Sequence, residues 1–187
     1  MSEVQPPAYF DPLSTEGLTN VVCAQFERSP RWNLTENLPA FSGDGLYALY
    51  FVGKSKLYGA LSGTTVPLYI GKSTGVRNRI NRHRRMIGAT QLAIEDFAVG
   101  ALLMPKFFVA LGEKGLEDGY QPVWNVLLTG FGGNIQGIRR DSSPSKWDTL
   151  HPGRYVESGP SEFDPETLAA DVAEAAAVQV QLTPPWH

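Results

Sequence analysis

Two short aromatic-rich segments in the first half of the chain constrain its fold most. Gly45–Phe51 reads GLYALYF, and Pro67–Gly71 reads PLYIG. Each is bounded by residues that form turns, and the stretch between them is rich in Gly, Ser and Lys. Short aromatic and aliphatic runs between turn formers are typical of β-strands. We therefore predict two strands joined by a turn-rich loop.

The spacing of apolar residues changes after the second segment. Val76, Ile80 and Ile87 fall within about 40° of one another at 100° per residue, which predicts a helix over 76–87 that packs on the sheet. Phe97–Met104 predicts a third strand and Val109–Asp118 a second helix. The predicted order is β, β, α, β, α.

The flanking regions are less regular. We predict a first helix over Pro12–Glu27 and an irregular connection over Arg28–Ser42. Val123–Leu128 is apolar and is interpreted as a fourth strand, and Gly130–Gly137 as a loop. A final helix should open at Asp164, where a cap residue is followed by proline and an acid.

Charge is divided unevenly along the chain. The formal net charge is -3, but all 16 Lys and Arg residues lie in the first 154 positions, where they face only 13 of the 19 acids. Five bases occur within nine residues: Arg77, Arg79, Arg82, Arg84 and Arg85. This density is expected where phosphates are neutralised, although a solvated helix face would look the same.

Cysteine content and hydropathy indicate a compartment. Cys23 is the only cysteine, the N-terminus lacks the pattern of a secretory signal, and no apolar run is long enough to cross a membrane. We expect a cytoplasmic protein that does not contact a membrane.

Six polar residues stand out at or near the predicted strands and helices: Tyr47, Tyr69, Arg79, His83, Glu113 and Asn125. A tyrosine in a strand is usually a core residue. Arg79 and His83 are four residues apart, so they share one helix face beside the apolar stripe, where they would be unfavourable without an anion.

Two other kinds of site are excluded. Gly71-Lys-Ser73 is not a P-loop, because that motif needs a glycine where this chain has Val66. One cysteine and the scattered His83, His151 and His187 give no pair of ligands at zinc spacing.

Gly45-Leu-Tyr47, Tyr69-Ile-Gly71, the helix with Arg79 and His83, Glu113 and Asn125 occur in the order of the GIY-YIG nuclease family. The sequence resembles that family from about Gly45 to Arg154. His83, Gly130-Phe-Gly-Gly133 and Trp147–Arg154 look like the subgroup of homodimeric type II restriction endonucleases with CCGCGG specificity. The run from Gly71 to Arg79 is shorter than that subgroup leads us to expect.

The resemblance implies an α+β fold with a small, mainly antiparallel central sheet flanked by helices. Residues 1–44 would form an N-terminal helical extension, 45–128 the catalytic core and 129–187 a C-terminal extension, within one compact domain. It implies cleavage of both strands of a GC-rich palindrome by a homodimer, with a DNA methyltransferase protecting the same site. The alternatives are a repair or recombination nuclease that recognises DNA structure and a DNA-binding relative without activity.

The chemistry assigns provisional roles to these residues. Glu113 would bind one Mg²⁺, or Mn²⁺ in its place, and Arg79 would clamp a phosphate oxygen. The resemblance implies Tyr47 as general base and Tyr69 as its neighbour. His83 would orient the attacking water or share protons with it, and it is the alternative base. Asn125 would either support the phosphate site or form a structural bridge.

Further residues are predicted to contact DNA. Backbone contacts are expected from Arg77, Arg82, Arg84 and Arg85, and base contacts from Asn134, Gln136, Arg139 and Arg140. Lys72 and Arg154 are also expected to bind DNA.

Overall fold

The computed structural model describes residues 13–132, 144–154 and 159–187. Its helices and strands, in chain order, are α1 (Thr15–Glu27), β1 (Arg31–Asn33), β2 (Gly45–Phe51), β3 (Tyr69–Ser73), α2 (Val76–Gly88), β4 (Phe97–Leu103), α3 (Lys106–Tyr120), α4 (Val123–Val126), α5 (Lys146–Leu150) and α6 (Pro165–Gln179). Two 3₁₀ turns, Gly59–Leu61 and Ile94–Asp96, precede β3 and β4.

The four strands form one sheet in the order β1-β4-β2-β3. Every neighbouring pair is antiparallel. β2 is central, and all seven of its residues are buried. The predicted α+β fold with a mainly antiparallel sheet is confirmed.

Helices cover both faces of the sheet. Because successive residues of a strand point to opposite faces, neighbouring residues of β2 contact different helices. Leu46 of β2 and Val22 of α1 both pack against Gly112 of α3. The next residue, Tyr47, contacts His83 of α2. One face of β2 is therefore covered by α2 and the other by α3 with α1 beside it; we call these the α2 face and the α3 face.

Two predicted elements were wrong. The connection predicted to be irregular contains β1, which pairs with the edge of β4. Val123–Leu128 holds the single helical turn α4 instead of a fourth strand. The reason lies at the outer edge of β3, where the Asn125 side chain occupies both backbone groups of Ile70 and leaves no place for another strand.

The last helix begins as predicted. Asp164 is its N-cap and accepts a hydrogen bond from the Thr167 amide at 2.8 Å, and Pro165 follows directly. α5 was not predicted. No helix within the described ranges is long and apolar enough to cross a membrane.

Candidate active site

Two tyrosines meet on the α2 face of the sheet. Tyr47 of β2 lies directly opposite Gly71 of β3, and Tyr69 points to the same face because it precedes Gly71 by two residues. The two ring centroids are 6.1 Å apart. A Cβ atom on residue 71 would lie 2.5 Å from the Tyr47 hydroxyl oxygen. Glycine at this position therefore makes room for that hydroxyl.

Helix α2 supplies two partners to the Tyr47 hydroxyl. His83 Nε2 lies 2.8 Å from the hydroxyl oxygen, and Arg79 Nε donates to the same oxygen at 3.4 Å. The predicted face shared by Arg79 and His83 is thus present in the structure. His83 is fully buried. It therefore contacts the phenol and not the solvent.

The segment Gly130–Gly132 closes this site from the far end of the chain. The Gly132 carbonyl accepts a hydrogen bond from Arg79 Nη2. Phe131 stacks on His83, with ring centroids 4.5 Å apart, and meets Tyr69 edge to face at 5.1 Å. The described part of the predicted loop is thus a wall of the site.

Burial and nearby cations set the protonation states. Burial, together with the charges of Arg79, Arg82 and Arg154, lowers the pKa of His83 to about 3, so the imidazole is neutral at neutral pH. The pKa of Tyr47 is raised because its burial outweighs the hydrogen bond and charge of Arg79. Tyr47 is therefore a protonated phenol.

These states assign the hydrogen bonds. The Tyr47 oxygen accepts from Arg79, so its own proton is available to His83 Nε2. The imidazole proton then sits on Nδ1, which has no hydrogen-bond partner among the described residues. Tyr47 thus lies between a donor and an acceptor, as a group that moves a proton requires.

The carboxylate of Glu113 lies on the α3 face. Lys72 of β3 lies directly opposite Leu46 of β2, so both side chains point to the α3 face. There the Lys72 Nζ is 2.6 Å from Glu113 Oε2. The charge of Glu113 reaches the phenols, because it contributes to the raised pKa of both Tyr47 and Tyr69. The acid and the phenols therefore flank the same edge strand from its two faces.

Asn125 bridges this edge strand to α3. Its Oδ1 accepts from the Ile70 amide at 2.9 Å, and its Nδ2 donates to the Ile70 carbonyl at 2.8 Å and to Glu117 Oε1 at 2.7 Å. Asn125 thus makes a structural bridge, and its support of a phosphate stays a prediction. Burial raises the pKa of Glu117, and the charge of Glu113 raises it further.

Comparison with known proteins identifies the family. A family model described as the Eco29kI GIY-YIG domain matches residues 71–175, more than half of the chain. The chain belongs to this GIY-YIG restriction endonuclease family. No curated protein gives a significant match.

Membership makes the protein a restriction-type nuclease that acts on DNA. The matched segment contains Arg79, His83, Glu113 and Asn125, whereas Tyr47 and Tyr69 precede it. The two tyrosines join the GIY-YIG site through the contacts of the Tyr47 hydroxyl. The catalytic roles of all six residues remain predictions.

The structure contradicts the prediction that Arg154 contacts DNA. Only 4% of its side chain is exposed, and its guanidinium pairs with Asp148. It also donates to the Gly130 carbonyl at 2.7 Å and to the Phe131 carbonyl at 3.3 Å. Arg154 therefore holds the glycine segment that closes the GIY-YIG site.

The other basic residues fall into separate groups. Arg77 donates to the Leu38 carbonyl at 3.3 Å, and Arg84 donates to the Thr35 carbonyl at 3.0 Å, so both tie α2 to the connection before β2. Lys72 and Arg85 are exposed, and Arg82 is partly exposed. The predicted base-contacting residues, and Gly133 of the motif, lie outside the described residues: Asn134, Gln136, Arg139 and Arg140.

Sequence reasoning missed three contributors to the site. They are the stacking of Phe131 on His83, the Gly132 carbonyl that binds Arg79, and the Asp148–Arg154 pair behind that segment. The motif Gly130-Phe-Gly-Gly133 was interpreted only as a loop that resembles the restriction subgroup. A phenylalanine among glycines was the available signal, because a loop that only approaches a duplex has no need of a buried aromatic ring.

Proposed function

We propose that this protein is a type II restriction endonuclease that cuts both strands of a GC-rich palindrome, CCGCGG, by Mg²⁺-dependent phosphodiester hydrolysis. The observation that carries the proposal is the Tyr47 hydroxyl held between Arg79 and His83 in a chain of the GIY-YIG family. Arg79 is a cation that can bind a phosphate, and His83 can accept a proton from the Tyr47 hydroxyl.

Arg79 is the phosphate-binding group of the proposal. Its Nη2 donates to the neutral carbonyl of Gly132, while its Nε donates to Tyr47. A charged phosphate oxygen binds guanidinium more strongly than a carbonyl does. Entering DNA would therefore take the place of the Gly132 carbonyl and come to lie beside the Tyr47 hydroxyl.

Tyr47 acts as the general base and passes its own proton on. It takes a proton from the attacking water while the phenolic proton moves to His83 Nε2, and the resulting hydroxide attacks phosphorus. The 3′ oxygen leaves with the electron pair of the broken P–O bond. His83 does not act on water directly in this scheme, because its Nε2 is occupied by the Tyr47 hydroxyl. The charge of Arg79 opposes protonation of the His83 imidazole. A negatively charged phosphate bound to Arg79 would offset that charge and so favour the protonated imidazole.

Glu113 fits a single divalent cation. The described residues contain no group of three or more His, Cys, Asp or Glu that could enclose a metal. Mg²⁺ is commonly held by one or two carboxylates together with substrate phosphate and water, so such a cage is not needed. Glu113 already binds a cation, the ammonium of Lys72. Its charge also helps to raise the pKa of Glu117, so the two carboxylates repel each other, and a divalent cation would reduce that repulsion. When bound, Mg²⁺ would neutralise charge that develops on the phosphate.

The proposed assembly follows from the substrate. A palindrome presents the same half-site to each of two subunits related by a two-fold axis, so a homodimer would place one site on each strand. Backbone contacts to DNA are proposed for Lys72 and Arg85, which are exposed, and for Arg82, which is partly exposed. A host that contains CCGCGG sites would need a methyltransferase to protect them.

Plasmids that differ only in one CCGCGG sequence test this function. We expect the plasmid with the site to be linearised with Mg²⁺ and to stay intact with EDTA, and the plasmid without the site to stay intact. Structure-dependent nicking would indicate a repair nuclease, and DNA binding without cleavage an inactive relative. Either result would overturn the proposal.

Glu113→Gln tests the metal role. We expect this variant to lose cleavage by at least about 10³-fold and to bind the duplex nearly as well as the wild type, because the amide keeps the shape but loses the charge. The control is Glu174→Gln, which changes an exposed acid of α6 and should leave cleavage normal. Near-normal cleavage by the Glu113 variant would contradict the role.

A further inference from the structure

We propose that Lys72 is a displaceable counter-cation that occupies Glu113 until a divalent metal replaces it. Binding of the metal and release of the lysine would then be a single exchange. This inference rests on the proposed function, because it requires that Glu113 is a metal ligand.

The contact between Lys72 and Glu113 places the two cations in competition. Lys72 Nζ lies 2.6 Å from Glu113 Oε2, so the ammonium occupies an oxygen that the metal would bind. Glu113 is 19% exposed and Lys72 is 50% exposed. The acid is therefore held in the protein while its partner reaches it from the surface, an arrangement that allows the partner to leave.

The two side chains also differ in how they are anchored. Glu113 lies in the middle of α3, whose buried residues include its neighbour Gly112. Lys72 is held at its backbone, which pairs with Leu46 across the sheet, and its side chain reaches Glu113 from the surface. Its four-carbon stem leaves the ammonium free to swing. The lysine can thus give up the carboxylate without any change in the sheet.

A cavity of about 230 Å³ beside Lys72 gives the released ammonium somewhere to go. Lys72 lines this cavity together with Lys106, Ser73 and Thr74, the acid Asp44, and the apolar residues Val109 and Ala110. Lys72 and Lys106 are both exposed, and such cations attract the phosphates of an approaching duplex. DNA would attract the Lys72 ammonium away from Glu113, and the metal would take its place on the carboxylate. Both ligands favour the separated pair, so each would favour the binding of the other.

The sign of the effect separates this inference from a supporting role. A lysine that orients Glu113 for the metal would weaken metal binding when it is removed. Removal of a lysine that competes with the metal would instead strengthen metal binding. Because the pair is partly exposed, we expect a gain of about three- to tenfold in metal affinity.

The test measures binding of Mn²⁺ alone to the full chain without DNA, from the EPR signal of the free ion. Lys72→Met should bind Mn²⁺ about three- to tenfold more tightly than the wild type. Lys106→Met is the matched control, since it removes an exposed lysine from the same cavity, and it should change the affinity less than twofold. Lys72→Arg, which keeps the charge, should not gain affinity.

Lys72→Met affinity equal to that of Lys106→Met, or weaker than that of the wild type, would overturn the inference. Thermal melting of each variant checks that the fold is intact. Glu113→Gln distinguishes the two proposals. If it binds Mn²⁺ as the wild type does, the metal site itself is wrong, whereas if it loses binding and Lys72→Met shows no gain, only the counter-cation role is wrong.

Discussion

Gly71 of β3 determines where the hydroxyl of Tyr47 lies. A Cβ atom at this position would be 2.5 Å from that oxygen and 3.1 Å from Tyr69 Cε1, and both rings are buried. Gly71→Ala must therefore push Tyr47 away from His83. We expect the free energy of unfolding to fall by about 1–3 kcal/mol and the cleavage rate by about 10²-fold, because small displacements of reacting groups are strongly amplified in rate. Denaturant unfolding and single-turnover cleavage measure the two effects.

Gly75 is the control for Gly71. A Cβ atom there would meet nothing within 4 Å, and its φ of −142° suits any residue. Gly75→Ala should change the free energy of unfolding by less than about 0.5 kcal/mol and leave the rate unchanged. A Gly71→Ala enzyme as active as Gly75→Ala would mean that the position of the Tyr47 hydroxyl does not limit the reaction.

At the scale of elements, α5 and the residues after it hold the wall of the site in place. Asp148 in α5 pairs with Arg154, and Arg154 binds the carbonyls of Gly130 and Phe131. Arg154→Met leaves the buried carboxylate without its partner. We expect the free energy of unfolding to fall by about 3–5 kcal/mol, as for other broken buried pairs. Cleavage should fall as well, because Phe131 of the released segment no longer stacks on His83. Denaturant unfolding measures the first effect and plasmid cleavage the second.

Two further variants complete this prediction. Lys146→Met removes a neighbouring cation of α5 that is only partly buried, and it should be nearly neutral. Asp148→Asn combined with Arg154→Met should recover part of the lost stability, because no unpaired charge then remains buried. If Arg154→Met is as stable as Lys146→Met, the pair does not support the glycine segment.

The same elements mark what the sequence can and cannot predict. β2, β3, β4 and helices α1, α2, α3 and α6 were predictable, because each is long enough to show a period or to carry a cap. β1 has three residues and α4 has four, which is too short for either signal. The identity of α4 depends on distant partners, since the Asn125 side chain binds the backbone of Ile70.

Some features of the candidate site can also be predicted from the sequence, whereas others cannot. The spacing of Arg79 and His83 predicts a shared helix face, and the two strands predict neighbouring tyrosines. Sequence alone cannot distinguish a guanidinium that binds phosphate from one that is buried against carbonyls, because the residue type is the same. Arg154 was misassigned for that reason.

At the scale of the whole molecule, two buried histidines link folding to pH. Burial lowers the pKa of His83 to about 3 and that of His151 to about 4, while an unfolded histidine titrates near ~6.5. His151 is bound to the Tyr58 hydroxyl at 2.6 Å, away from the Tyr47 group. Between pH 4 and 6.5 the unfolded chain therefore binds two protons that the folded chain does not. Stability should be fully present above about pH 6.5 and be lost as the pH falls.

The expected slope makes this linkage measurable. Each histidine should contribute about 1.4 kcal/mol per pH unit to the free energy of unfolding between pH 4.5 and 6, so the pair contributes about 2.7 kcal/mol per unit. His83→Gln and His151→Gln should each remove about half of this slope, whatever their stability at pH 7. The control is Gln181→Ala, which removes an exposed side chain without an ionisable group and should leave the slope unchanged. Denaturant unfolding across this range measures all four proteins, and slopes that stay equal to the wild type would show that the histidines are protonated in the folded state. Because carboxylates titrate alike in all four, their contribution cancels in the differences.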